Sequence, residues 1–450
     1  MPRRTEGAQQ PAEEARRMLR QIGLGGARII VGLSGGLDSV VLLHCLTDLA
    51  PKFDLTLGAL HVHHGLSPNA DLWARFCADL CAQLGVPFAQ ANVAVERASG
   101  LGLEAAARQA RYAVFRQQQA DAVALAHHRD DQAETLLLQL LRGAGVRGMS
   151  AMPAVRTLEP ASGLRLVRPL LQVSRASIHA YARERGLSWI EDESNADARF
   201  DRSFLRTQIL PELAARYPGV SDTLGRAADN LADAAQLMDE LAGYDARGAV
   251  SRDSLRLSAL ACASPARARN LLRWFLERQG FPPASRDQLE EGLRQALAAR
   301  DEARLQVKLG SARLRRHRGR LYLESAGREP GRRWRLAWRG ERELTLPAGL
   351  GSIRFDPSIG VGLSMERLRA GEAVVRARAG GERIRLAPNR PSRTLKNLLR
   401  ESGVPEWLRD RLPLLFVGDA LVWVPGVGED CRFAAAVGEA GVMPRWDRDA

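Results

Sequence analysis

The sequence predicts an α/β fold: a parallel sheet covered on both faces, then a mostly helical segment, then a small β-rich one. Three observations predict it. Residues 27–49 pass from a β-branched apolar run, through two adjacent glycines, into a helix that is apolar on all sides. From 55 to 141 strand and helix signals alternate, the pattern of parallel strands joined by helical crossovers. Beyond residue 213 the pattern changes to helical periodicity, and then to short strands between Gly/Pro turns.

Residues 1–26 read as a polar lead-in with a short helix over 12–21. Ala27-Arg28-Ile29-Ile30-Val31-Gly32-Leu33 is a short buried strand. Ser34-Gly35-Gly36-Leu37-Asp38-Ser39 follows it, and Asp38 and Ser39 are candidate caps of the next helix. A strand, a Gly-rich turn and a helix N-terminus together make an anion site, with backbone N–H groups pointing outward and the helix dipole favouring negative charge. Gly35 and Gly36 permit positive φ and let a phosphate approach with no Cβ in the way. No Lys follows the glycines, so this is not the GxxxxGK[ST] loop. The hydroxyls of Ser34 and Ser39 and the Asp38 carboxylate are oxygen donors suited to Mg²⁺.

Strands are then expected at 55–62, 88–95 and 122–126, and helices at 71–84, 103–118 and 131–141. Ligands of such a sheet bind at the C-terminal ends of its strands. Three motifs fall there: His61-Val62-His63-His64-Gly65-Leu66, Glu104 to Arg108 with Arg111-Tyr112, and Ala126 to Thr135. In the third, Asp131 and Glu134 are i and i+3, and Asp130 and Glu134 are i and i+4, so they share a helical face. First-turn carboxylates also serve simply to complement a helix dipole. The His cluster admits a metal reading, but base or ribose contacts suit it better because no open-site ligand set is complete. Arg142 to Gly148 alternates Arg with Gly, as a phosphate-contacting loop does.

The loop at 34–39 resembles the SGGxDS loop of the PP-loop ATP pyrophosphatases. HxHHGL at 61–66, HHxxDQAET at 127–135, the RG-G at 142–145 and the D-x-SN-x-D-x-x-F-x-R-x-x-x-R run from Asp192 to Arg206 resemble, in that order, the tRNA(Ile)-lysidine synthetase family among them. One departure is Ser203, where that family usually has Asn. The resemblance covers about 1–210, and the Arg/Lys-rich stretch from Arg376 to Pro413 is similar to the family's C-terminal tRNA-gripping domain.

The resemblance implies an ATP- and Mg²⁺-dependent ligase acting on tRNA(Ile) with a CAU anticodon. ATP adenylates O2 of the wobble cytidine and pyrophosphate leaves. The ε-amine of free L-lysine then attacks C2 and expels AMP, giving lysidine. It implies catalytic roles for Asp38, Asp131, Glu134 and Arg202, with Asp38 also the metal ligand. It implies nucleotide contacts from Ser34, Gly35, Gly36, Leu37, Asp38, Ser39, His61 and His127. Substrate or tRNA contacts fall to Glu104, Arg108, Arg111, Arg142, Asp192, Asn195, Arg206, Arg393, Lys396 and Arg409. The implied domains are 1–213, catalytic; 214–326, mostly helical and touching tRNA; and 332–450, β-rich and binding tRNA.

Composition agrees with a polyanionic partner. Lys and Arg number 65 against 52 Asp and Glu, a net charge of +13 over 450 residues. Arg313-Leu314-Arg315-Arg316-His317-Arg318-Gly319-Arg320 is expected in a turn between strands at 305–309 and 321–324, available to phosphate. Arg393, Lys396 and Arg400 have the spacing of one helical face. Five cysteines without a CxxC pair argue against a zinc ribbon or a cysteine-held cluster and for a reducing compartment. No apolar leader core and no 18-residue apolar run occurs, so no membrane partner is expected and the location is read as cytoplasmic. A homodimer stays open. Two rival functions remain. A tRNA-thiolating PP-loop enzyme would need reactive cysteines, and a non-catalytic RNA-binding scaffold would not need Asp38, Asp131 and Glu134.

Overall fold

A computed structural model describes residues 3–95, 103–159, 162–191, 201–251, 253–299, 305–325, 334–347 and 350–447. The chain forms two compact units, 1–237 and 238–450.

The first unit is built on a six-stranded sheet. Its elements are α1 (Arg3–Gln21), β1 (Arg28–Gly32), α2 (Leu37–Phe53), β2 (Thr56–His63), α3 (Ala70–Leu84), β3 (Phe88–Asn92), α4 (Leu103–Arg116), β4 (Ala122–Ala124), α5 (Arg129–Leu141), α6 (Val146–Met149), β5 (Val155–Glu159), β6 (Leu164–Val167) and α7 (Arg175–Glu184). After α8 (Asp201–Phe204) comes a π-turn, Leu205–Ile209, then α9 (Leu210–Arg216) and the start of α10 (Val220–Asp245). Strand order is β3-β2-β1-β4-β6-β5. All neighbours are parallel except β5, which pairs antiparallel with β6 at the edge.

The alternation of β1 explains the two layers. Ile29 and Val31 face one core, with Leu19 of α1, Leu42 and Leu46 of α2, Cys77 and Cys81 of α3, and Ile178 and Tyr181 of α7. Ile30 faces the other, with Tyr112 and Phe115 of α4, Val123, Leu158 and Leu164. Strand order reverses between β1 and β4, so the loops leaving those two strands diverge and open a crevice at their C-terminal ends.

The second unit begins with a sheet of order β7-β10-β9-β8, formed by β7 (Ser254–Arg256), β8 (Gln306–Leu309), β9 (Ala312–His317) and β10 (Arg320–Ser325). Helices α11 (Leu257–Ala261), α12 (Pro265–Arg278) and α13 (Arg286–Ala298) pack on it through Leu271, Phe275, Leu293, Leu309, Leu314 and Leu321. The remainder, from 334 to 447, forms a five-stranded and a four-stranded sheet and a two-stranded pair, all antiparallel where paired. Among the described residues no helix is long and apolar enough to cross a membrane.

Three local expectations change. Neither Asp38 nor Ser39 caps α2: the N-cap is Gly36, and the Ser39 hydroxyl turns back to donate to the Gly36 carbonyl at 2.9 Å. The basic run at 313–320 is mostly strand β9, not a turn. Strand alternation buries part of it: Arg316 is buried and donates to the Ala296 carbonyl at 3.0 Å and to that of Ala299, while Arg315 pairs with Glu324 at 2.6 Å. Arg393 sits on a two-residue strand ahead of the helix Leu395–Glu401, so it does not share a helical face with Lys396 and Arg400.

Glu324 is buried and also lies 3.5 Å from Arg411, which ties the middle sheet to the C-terminal sheets. Around the same point the rings of His317 and Tyr322 lie roughly perpendicular to that of Trp407, with centroids 5.9 and 5.8 Å away. Glu324→Ala would strand Arg315 beside an empty partner site. It is expected to destabilise the second unit by about 3 kcal/mol, measured by denaturant unfolding of the full chain. A loss under about 0.5 kcal/mol, the range of ordinary surface changes, would mean the pair is dispensable.

Candidate active site

The site is assembled from the loop after β1, the start of α5, and the π-turn. Gly35 has φ +87, and a Cβ there would lie 2.6 Å from Ile190 Cδ1 and 3.2 Å from Cys77 Sγ. That position therefore requires glycine on both conformational and steric grounds. The Ile190 N–H donates to the Gly35 carbonyl at 2.9 Å, so the loop is gripped from outside. From inside, the Ser34 N–H donates to Ser39 Oγ at 3.2 Å, and the Ser34 and Ser39 hydroxyls lie 3.1 Å apart. His61 is buried, and its Nδ1–H donates to the Leu33 carbonyl at 2.9 Å, which supports the loop from beneath. Gly36 brings no side-chain cap, so the first-turn N–H groups of α2 remain directed at the crevice.

Asp38, in that first turn, meets the start of α5. His128 Nε2 lies 3.7 Å from Asp38 Oδ2 and 3.5 Å from Asp131 Oδ2, and His128 itself is buried. The His128 N–H donates to Asp131 Oδ2 at 3.0 Å. On the other side of Asp131 stands Arg206. Its Nη2 donates to Asp131 Oδ1 at 2.9 Å and to Glu134 Oε2 at 2.9 Å, and its Nε donates to Glu134 Oε1 at 2.6 Å. Asp130 leaves this face: it accepts from the Arg175 N–H and the Ser221 hydroxyl, both at 2.9 Å, and so anchors α7 and α10.

Burial and charge oppose each other here. Burial pushes Asp38 above the ordinary carboxylate range, against the pull of His128. Burial also pushes Asp131 up, but His128, His127 and Arg206 outweigh it and hold it below its usual value. Glu134 stays raised, because its burial exceeds the opposing pull of Arg206.

Asp38 Oδ1 is buried without a hydrogen-bond partner. No three His, Cys, Asp or Glu side chains gather into a metal site among the described residues. One carboxylate beside a phosphate cradle is the usual protein share of a Mg²⁺ site, with phosphate oxygens and water completing the shell, so the residues fit that ion.

The remaining expected positions divide by location. Arg202 Nη2 donates to Thr135 Oγ1 at 3.2 Å, one turn along α5. Arg108 donates to the Tyr112 hydroxyl at 3.1 Å, and Arg156 stacks on that ring. His127 accepts from Arg168 Nε at 3.2 Å. Arg142, at the end of α5, makes an exposed ion pair with Asp201 at 3.1 Å. Arg111 adds charge beside His127 and Tyr112. Arg393, Lys396 and Arg409 belong to the second unit: Arg393 pairs with Glu401, Lys396 is exposed, and Arg409 donates to the Val404 carbonyl at 2.8 Å. Asp192 and Asn195 lie outside the described residues, as does the side chain of Glu104. Sequence reasoning passed over His128, although it stood inside a quoted motif. It also passed over Arg168, whose only signal was an Arg-Pro after an apolar strand.

Comparison with known proteins gives three family matches: a PP-loop domain over residues 9–213, a TilS substrate binding domain over 255–322, and a TilS substrate C-terminal domain over 373–446. The tRNA(Ile)-lysidine synthase of Nitrosomonas europaea is 44% identical, spanning 94% of this chain and 92% of its own. The chain belongs to the tRNA(Ile)-lysidine synthase family. The synthase of Azoarcus sp. (strain BH72) is 46% identical over 95% of this chain and 94% of its own. Membership makes the chain an ATP-using PP-loop enzyme, and places the loop at 34–39 and the carboxylates of α5 inside the matched PP-loop domain. Cys45, Cys77, Cys81, Cys262 and Cys431 are all free thiols, and the first three are buried in the core of the first unit.

His127 supplies a test by pH. Burial, with Arg168, Arg108 and Arg111 nearby, holds it down to about 3 against the pull of Asp131. The unfolded chain takes up that proton near pH 6.5, so the folded state is disfavoured as pH falls through that value. Unfolding free energy is expected to drop by roughly 1–2 kcal/mol between about pH 6.5 and 5 from this group. His127→Gln, which still accepts from Arg168, should flatten that limb in thermal unfolding; an unchanged limb would assign the loss elsewhere.

Proposed function

We propose that this chain joins free L-lysine to C2 of the wobble cytidine of tRNA(Ile) with a CAU anticodon, at the expense of ATP. The observation that carries the reading is that Asp131 and Glu134 already hold a cation, the Arg206 guanidinium, beside Asp38 of the phosphate loop. A pair of carboxylates that binds one cation next to an anion cradle suits a reaction in which an amine meets a phosphate-activated carbon.

The residues divide the work as follows. The glycines at 35 and 36 and the first turn of α2 receive the phosphates, with Ser34 and Ser39 bracing the loop. Mg²⁺ held by Asp38 would offset phosphate charge as the cytidine O2 attacks the α-phosphorus and pyrophosphate leaves. The cytidine must leave its stack to reach the crevice. Lysine arrives as an ammonium, with a reference pKa of about 10.4, and must lose a proton before it attacks. Asp131, held low, remains ionised and binds the ammonium. Glu134, raised by burial, is the better proton acceptor. The amine then attacks C2, the C–O bond to the adenylate breaks, and AMP departs. Segments 1–213, 214–326 and 332–450 correspond to catalysis and to two tRNA-gripping parts.

A two-readout assay tests the chemistry on folded variants: pyrophosphate for the first step and radiolabelled lysine in tRNA for the second. Asp38→Asn should lose both. Glu134→Gln should release pyrophosphate but incorporate lysine at least ~100-fold more slowly, the scale of a lost general base, with partial recovery toward pH 9. Wild-type lysine incorporation by both Glu134→Gln and Asp131→Asn would make those carboxylates structural.

The grip is tested separately. Lys396 and Arg400 are exposed one turn apart on the helix Leu395–Glu401. Replacing both with Ala should weaken tRNA binding and lower the slope of log affinity against log salt by about 1 for each phosphate left unneutralised. An unchanged slope would remove this helix from the interface.

A further inference from the structure

Glu134 is fully enclosed, with 0% of its surface exposed, although it is proposed to meet a substrate. What encloses it on the crevice side is Arg206. Both Glu134 oxygens accept from that guanidinium, and so does Asp131 Oδ1. The other Asp131 oxygen is taken by the His128 N–H. An arriving ammonium brings three donors and needs these same oxygens. Each of them already accepts one bond, Glu134 is enclosed, and the ammonium meets a second positive charge in the place it would occupy. The amine site is therefore closed while Arg206 stays where it is.

Arg206 is placed to move. Its side chain is 28% exposed, so one side already faces water. It stands on the π-turn Leu205–Ile209, between two α-helical stretches, and such turns recur at functional sites. Leu205 beside it is buried, which gives the turn a fixed point. Asp38 pulls on Arg206 electrostatically, and an anion held by the phosphate loop would add to that pull. A phosphate offers the same planar, two-point match as a carboxylate and competes for the same fork.

We propose that Arg206 gates the amine site. Its guanidinium holds Asp131 and Glu134 until a phosphate beside Asp38 draws it off, and only then is the carboxylate pair open to lysine. The gate orders the reaction, with nucleotide and tRNA first and amine second, and keeps stray cations off the carboxylates between turnovers. It rests on the reading that Asp131 and Glu134 bind the lysine amine.

The test is equilibrium dialysis of the full chain against radiolabelled lysine. Wild-type protein alone should show little saturable binding. Adding tRNA and an ATP analogue with a methylene between the α and β phosphates should tighten it at least ~10-fold, the size of a modest population shift. Arg206→Ala should bind lysine without either addition, while Arg206→Lys, which keeps a cation on the pair, should stay closed. Equal lysine affinity for wild type with and without nucleotide and tRNA overturns the gate, as does a folded Arg206→Ala protein that gains nothing. If Arg206→Ala does not fold by circular dichroism, the wild-type comparison decides alone. Failure of the underlying reading looks different: Glu134→Gln and Asp131→Asn then both incorporate lysine at the wild-type rate. If Glu134→Gln loses incorporation while wild type alone already binds lysine fully, the amine site stands and only the gate falls.

Discussion

Three carboxylates drawn together, Asp131 and Glu134 buried and Asp38 half-buried, set the terms for the first unit. Two like charges 4 Å apart repel by about 4 kcal/mol at an effective dielectric of 20. Asp38, Asp131 and Glu134 coexist because cationic or proton-donating groups are threaded among them: His128 between Asp38 and Asp131, and Arg206 across Asp131 and Glu134. The compensation is uneven, and its unevenness is chemically useful. Asp131 receives both partners and stays low, whereas Glu134 receives one and stays high. Two neighbouring carboxylates with different proton affinities can divide binding a cation from removing its proton.

The fold delivers these groups by a simple route. β1 lies in mid-sheet with its two faces in different cores, so its end is held on both sides. The chain leaves it through Gly35, where a side chain would strike Ile190 and Cys77. Tight closure around that glycine keeps α2 pointed at the crevice. α5 starts from β4, the neighbour across the strand-order reversal, and its first turn arrives opposite α2. Neither helix needs a long loop to reach the other, so the phosphate cradle and the carboxylates are held by rigid elements.

Much of this was legible locally. A β-branched run, two glycines and an apolar helix could hardly be read otherwise, and the i, i+3 spacing of Asp131 and Glu134 placed both toward one guanidinium. What local spacing could not show was long-range pairing. Arg206 is remote in sequence from the carboxylates it spans, and nothing near it names them. His128 looked like one histidine among several until folding set it between two aspartates. The run at 313–320 misled for the opposite reason. Charge density suggested an open surface, but strand alternation turned Arg316 inward, where two carbonyls at the end of α13 receive it. Strands β5 and β6 were not anticipated at all: both are short, and β5, antiparallel at the sheet edge, has only one buried residue, Leu158, to mark it.

The π-turn at 205–209 has a consequence for how this site can vary. Each residue of an α-helix advances the chain by about 100° around the axis, since 3.6 residues complete a turn. Deleting one residue from the wide turn would let it relax to ordinary helix and swing whatever lies on one side by about that angle. Arg206 would then face away from α5 although no side chain had been exchanged. The length of this segment is thus a determinant in its own right. A relative could replace most residues between 201 and 216 and keep the aim of its guanidinium, yet lose that aim through a single-codon deletion.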